Sequence, residues 1–210
     1  MALKREGVLV LLGITALAVV IGLLVFPSSE EDIAPLLVMF FGLYGYLFLS
    51  VATLMTPFLK EITQAFGKPF LKIHHAFSIL GIVFITLHPV FNAIDRLSLS
   101  VFVPRFDSWE RFWMLAGRPA FIILYIALFA ALLRAKAPKY WRPFHALIYI
   151  VLLFGIVHAN LIGDSFQNLG IVIIFDALFS AAIAGFVLKR YRNHSLQRAT
   201  REENESAYKL

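Results

Sequence analysis

The chain has 210 residues, 60% of them hydrophobic, a formal charge of +6 and no cysteine. A soluble domain of this length cannot bury that much apolar surface, so the bilayer is the expected solvent. Disulfides, cysteine-ligated iron–sulfur clusters and thioether-attached haem are excluded. The basic residues flank apolar runs, which ties them to a membrane boundary rather than to nucleic acid.

In chain order the apolar runs cover approximately 7–26, 34–56, 73–94, 119–134, 145–162 and 168–189, leaving 190–210 as a polar tail. A spanning helix needs about 20 apolar residues. The fourth run falls short of that and extends back into FWMLAGRP. Backbone left unpaired in lipid is too costly for anything but helix here. The expectation is a single-domain, all-α integral membrane protein, a bundle of six transmembrane helices. The first run reads as a retained helix, because it is too long for a signal peptide and lacks a small-x-small cleavage site.

Charge orients the bundle. Lys4 and Arg5, the 57–72 loop with Lys60, Lys68 and Lys72, the 134–144 loop with Arg134, Lys136, Lys139 and Arg142, and the tail with Lys189, Arg190 and Arg192 alternate with the opposite loops. Excess Lys and Arg marks the cytoplasmic side. Both termini are therefore expected in the cytoplasm, with the chain a multi-pass protein of the cytoplasmic (inner) membrane. Of the opposite loops, PSSEEDIA is acidic and GDSFQN short. The third, 95–118, is rich in aromatics and holds Arg96, Arg105, Arg111 and Arg118 against Asp95, Asp107 and Glu110. It reads as an interfacial lid, an acceptor-docking loop or an ordinary aromatic belt.

Two runs carry a histidine near each end. His74 and His88 are separated by thirteen residues, His145 and His158 by twelve. At about 1.5 Å per residue each pair spans roughly 20 Å, so two such helices side by side set histidine against histidine at two depths. Imidazole is a good haem ligand, and two axial histidines favour electron transfer over ligand binding at the iron. Two haem irons, each between two imidazoles, account for the layout. Given the expected topology, His74 and His145 form the inner pair, His88 and His158 the outer. Phe77, Phe84, Ile148, Leu152 and Phe154 are candidate porphyrin walls. Lys72 and Arg142 are candidate inner propionate partners, Arg96 and Arg118 outer ones. His75, about 100° round the helix from His74, is the alternative inner ligand. His194 sits in the polar tail and reads as solvated. On a regular helix the 74–88 step returns to nearly the same face, whereas the 145–158 step misses by roughly 140°.

These residues resemble the ferric reductase-like transmembrane domain, the family of ferric reductases, NADPH oxidases and the haem-binding subunit of the methionine sulfoxide reductase system. Both histidine steps match that family, as does Trp141, four before His145; Arg118-Pro119 is similar to the methionine sulfoxide reductase branch. Ser78 stands where the family often has glycine, and His74 is present where that branch often lacks a histidine. The resemblance covers the second to sixth spans and implies a six-helix bundle holding b-type haem on the third and fifth helices.

No G-x-G-x-x-G follows a strand, so a separate cytoplasmic flavin reductase or a membrane quinol is the expected donor, with FMN or quinone as a further cofactor. The expected acceptors lie outside: ferric iron, a periplasmic reductase partner or oxygen. The chain then reads as an oxidoreductase component rather than a complete enzyme. The alternatives are a quinol-linked cytochrome b subunit of a larger complex and a transition-metal transporter. Asp176, inside the sixth run, is costly in lipid and reads either as packed against an outer-loop arginine or as a proton carrier at a quinone site.

Overall fold

The computed structural model describes residues 3–26 and 32–207, and over these it is helical with no strand. Most of the acidic PSSEEDIA segment lies outside the described residues. Among the described residues nine α-helices follow in order: α1 (Arg5–Val25), α2 (Ile33–Leu54), α3 (Leu59–Phe66), α4 (Phe70–Asp95), α5 (Trp109–Met114), α6 (Gly117–Leu132), α7 (Trp141–His145), α8 (Ile148–Ile162) and α9 (Leu169–Ala207). Among the described residues, five stretches are long and apolar enough to cross a membrane: Arg5–Val25, Ile33–Phe66, Phe70–Asp95, Trp141–Ile162 and Leu169–Arg192. The fourth expected run forms the shorter apolar helix Gly117–Leu132.

Several boundaries differ from the expected ones, each for a local reason. The 57–72 loop is mostly helical. Pro57 lacks an amide donor and interrupts α2, and a 3-10 turn leads into α3. That helix turns Ile62, Ala65 and Phe66 inward and leaves Lys60, Glu61 and Gln64 exposed, and Gly67, at φ 59°, ends it. The expected fifth helix is broken into α7 and α8 at Ala146–Leu147. The sixth continues as helix through the tail instead of ending near 189.

The first helix is part of the bundle. The Lys4 amide donates to the Ala65 carbonyl at 3.1 Å, and the Tyr44 hydroxyl to the Ala18 carbonyl at 2.8 Å. Asn168 Nδ2 donates to the Leu24 carbonyl at 3.1 Å. The Lys4 bond sets the start of α1 beside α3, as the charge alternation requires.

The core joins Ile21, Leu47, Leu124, Leu152, Ile171 and Phe175, all fully buried, from α1, α2, α6, α8 and α9. The most extensive packing is between α2 and α4. A Cβ on Gly45 would come within 2.8 Å of the Ile85 amide nitrogen, and one on Gly81 within 2.9 Å of that of Leu49. Only glycine lets the two backbones approach this closely. The second packed pair is α6 with α8. His74, His88, His145 and His158 face these packed helices, each with Nδ1 on a backbone carbonyl.

Candidate functional site

Four of the six histidines share one seating. His74 Nδ1 lies 3.1 Å from the Ala52 carbonyl and His88 Nδ1 2.8 Å from that of Val38, both on α2. His145 Nδ1 lies 3.2 Å from the Ala127 carbonyl of α6, and His158 Nδ1 2.6 Å from the Met114 carbonyl at the end of α5. A carbonyl oxygen only accepts, so each Nδ1 carries the hydrogen. In the neutral ring this tautomer leaves the lone pair on Nε2. Metal-binding histidines are held in the same way, by a partner on the other ring nitrogen that fixes tautomer and orientation. His74 Nε2 has one long contact, 3.4 Å, to the Ser78 hydroxyl.

The four rings form two levels. The centres of His74 and His145 are 6.3 Å apart, with planes at 80°. His88 and His158 are within electrostatic reach of each other near the other end of α4 and α8. An imidazole nitrogen sits about 2 Å from a bound first-row metal, which puts the centres of two rings bound from opposite sides about 6 Å apart. The His74–His145 separation fits one iron between them. Among the described residues, no group of three or more His, Cys, Asp or Glu side chains gathers to hold a metal ion. Two donors per level are too few for a bare ion and suit a macrocycle that brings its own equatorial ligands.

The break between α7 and α8 bears on the angular mismatch. Leu147, Tyr149 and Ile150 donate to carbonyls three residues back. Such turns wind at about 120° per residue instead of 100°, so these steps recover roughly 60° of the missing rotation.

The remaining candidates are spread between the core and the surface. His75 is exposed, its ring 6.1 Å from that of His74, while His74 faces His145. Phe77 and Leu152 are buried in the core, and Ile148 and Phe154 pack against it. Phe84 instead meets Phe40, Phe41 and Phe48 on α2, because the tight α2–α4 contact claims that face. Lys72 is exposed, and Arg142 lies over the Trp141 ring at 5.6 Å. Lys189 on α9, read from sequence only as a topology marker, is within electrostatic reach of both His74 and Arg142. It comes 115 positions after His74 (189 − 74), and no local pattern links them. Arg118 reaches the His158 level, with Arg105 and Arg96 within its own electrostatic reach. Arg118 Nη1 also donates to the Val103 carbonyl at 2.9 Å, and Arg96 Nε to Asn92 Oδ1 at 2.8 Å. His194 is exposed.

The 95–118 segment belongs to the site. Phe112 and Trp113 meet the Phe154 ring edge-on at 5.8 and 5.5 Å, and this packing delivers the Met114 carbonyl to His158. Phe106 and Trp109, 74% and 76% exposed, face outward. Arg111 pairs with Asp107. Among the described residues Asp176 meets no arginine; Asn160 Nδ2 donates to its Oδ1 at 3.0 Å, because α8 is the helix packed beside it.

No curated protein and no solved structure matches the chain. The model of a family described as ferric reductase like transmembrane component matches residues 41–156, from α2 into α8. The match contains His74, His88 and His145 and stops two residues short of His158. With more than half of its 210 residues inside that match, and with its helices and paired histidines arranged as described, the chain belongs to the family of ferric reductase-like transmembrane components.

Proposed function

We propose that this chain carries electrons across a cytoplasmic membrane through two b-type haems, each held between two histidines, in a bundle of six spanning helices with both termini in the cytoplasm. The observation that carries the reading is the common seating of His74, His88, His145 and His158, each with Nδ1 on a backbone carbonyl of a neighbouring helix. When bound, haem supplies a one-electron iron centre at each level.

The chain's residues do the rest. The four Nδ1–H donors orient the imidazoles and raise the basicity of Nε2. Buried apolar side chains such as Phe77, Val151 and Leu152 keep water from the site. Lys72, Arg142 and Lys189 near one level, and Arg96 and Arg118 near the other, offer cations to propionates. A separate cytoplasmic flavin reductase or a quinol is the donor. Ferric iron, a periplasmic reductase or oxygen is the acceptor on the outer face.

The test is the colour and stoichiometry of the purified protein. Pyridine haemochrome analysis should give about two b haems per chain, one per histidine pair. A ratio near one leaves a single-haem protein and removes the path across the bilayer. A colourless preparation that binds zinc would replace this reading with metal transport.

A further inference from the structure

A cavity of about 390 Å³ lies between α8 and α9. Ligand pockets run from about 300 to 1,000 Å³, so it is large enough for one substituted ring. Val157, Leu161 and Phe179 supply apolar wall, and Asn160, Asp176 and Ser180 the polar atoms. Leu161 is 52% exposed and Ser180 is exposed, on helices whose outer faces are apolar. The cavity therefore opens sideways toward the lipid, which gives a membrane-soluble molecule a way in.

Hydrogen bonding at the polar end is directional. Asn160 Nδ2 spends both hydrogens, one on the Ile156 carbonyl and one on Asp176 Oδ1, each at 3.0 Å. The reverse amide orientation would press an oxygen against a carboxylate and a carbonyl, so this assignment stands. Two acceptors remain without a donor among the described residues: Asn160 Oδ1 and Asp176 Oδ2. A carboxylate and a carboxamide left with bare acceptors beside lipid are costly unless a ligand donates to them. That ligand must be apolar enough to travel in the membrane and carry hydroxyl donors. Asn160 is two residues beyond His158 on α8. The helix itself, about 10–12 Å across, is all that separates the cavity from that histidine's ring.

We propose that this cavity binds the ring of an isoprenoid quinol, whose hydroxyls donate to Asp176 and Asn160. The inference deepens the electron-transfer reading by placing a redox-active ligand beside the His88–His158 level, and it rests on that reading. A quinol fits what the walls offer: a flat ring with hydroxyl donors, on a hydrocarbon tail that leaves through the lateral opening.

The test is photoaffinity labelling of the full chain in nanodiscs with a short-tailed azido-quinone reduced to its quinol, followed by peptide mapping. Labels should fall on 153–161 and 176–180. Asp176→Asn should weaken labelling about tenfold, the scale of losing one hydrogen bond. Leu161→Trp fills the cavity without touching the polar pair and should weaken labelling as well. Labelling unchanged in both variants, or confined to other helices, overturns the proposal. Displacement of the label by excess phospholipid, but not by unlabelled quinol, assigns the cavity to a lipid and also overturns it. Haem content of the same samples keeps the two readings apart. Two haems with no label in the cavity sinks the quinol site alone, and specific labelling without haem sinks the electron-transfer reading.

Discussion

The two histidine levels are supported in different ways. His74 stacks on Phe70 at 5.5 Å and His145 leans on Trp141 at 6.2 Å, each an aromatic four residues earlier in its own helix. Their Nδ1 contacts are 3.1 and 3.2 Å. His88 and His158 are held more closely, at 2.8 and 2.6 Å, with glycine behind each ring. A Cβ on Gly42 would lie 2.9 Å from His88 Nδ1, and one on Gly117 3.0 Å from His158 Cδ2. Besides the shared carbonyl contacts, one level adds ring neighbours along its own helices and the other adds close glycine backbone from separate elements. Tight seating against backbone leaves less room for error, so the His88–His158 level should be the more sensitive to substitution.

The largest expected effect breaks both levels at once. His88→Ala combined with His145→Ala should leave no haem by pyridine haemochrome analysis, while each single variant keeps about one of two. A double variant that stays red would show that the pairs are drawn wrongly. Next is the path. In sealed vesicles of known orientation, a reductant confined to the cytoplasmic face should reduce both levels, and an impermeant outer acceptor should reoxidise them. His158→Ala should stop that reoxidation and leave the other level reducible. If the outer acceptor drains this variant at the normal rate, the His88–His158 level is not on the path.

Substitutions behind the rings sharpen the comparison. Gly117→Val and Gly42→Val force the imidazoles off their carbonyls and should empty most of the His88–His158 level. Trp141→Ala removes a ring contact worth about 0.5–1.5 kcal/mol, so the His74–His145 level should weaken only severalfold in a haem titration. Equal losses from Trp141→Ala and Gly117→Val would erase the proposed difference in support. The smallest effect is expected at His75. Its replacement by alanine should leave haem content at the wild-type value, whereas His74→Ala loses one level. The opposite result would reassign the ligand.

Much of this was legible because membrane helices announce themselves locally. Apolar run length located the spans, and the i, i+4 relation between Trp141 and His145 could be read along one helix. The break at Ala146–Leu147 was not legible. Pro143 precedes it, but a proline near a helix start is compatible with an unbroken helix. The helical course of 57–66 was hidden by its charged residues, because only packing decides which face of a short amphipathic helix is covered.

By itself, the sequence determined the apolar helices, the basic segments that gather at one end, the two histidine steps and the family they resemble, since each depends on composition or spacing along one chain segment. Tertiary structure alone decided which carbonyl receives each Nδ1, that Gly42 and Gly117 lie against imidazoles, that Lys189 approaches His74, and that Asp176 meets Asn160 rather than an arginine. Each of these contacts joins different helices, and it forms only when packing fixes their rotation and depth, which no periodicity within either helix records.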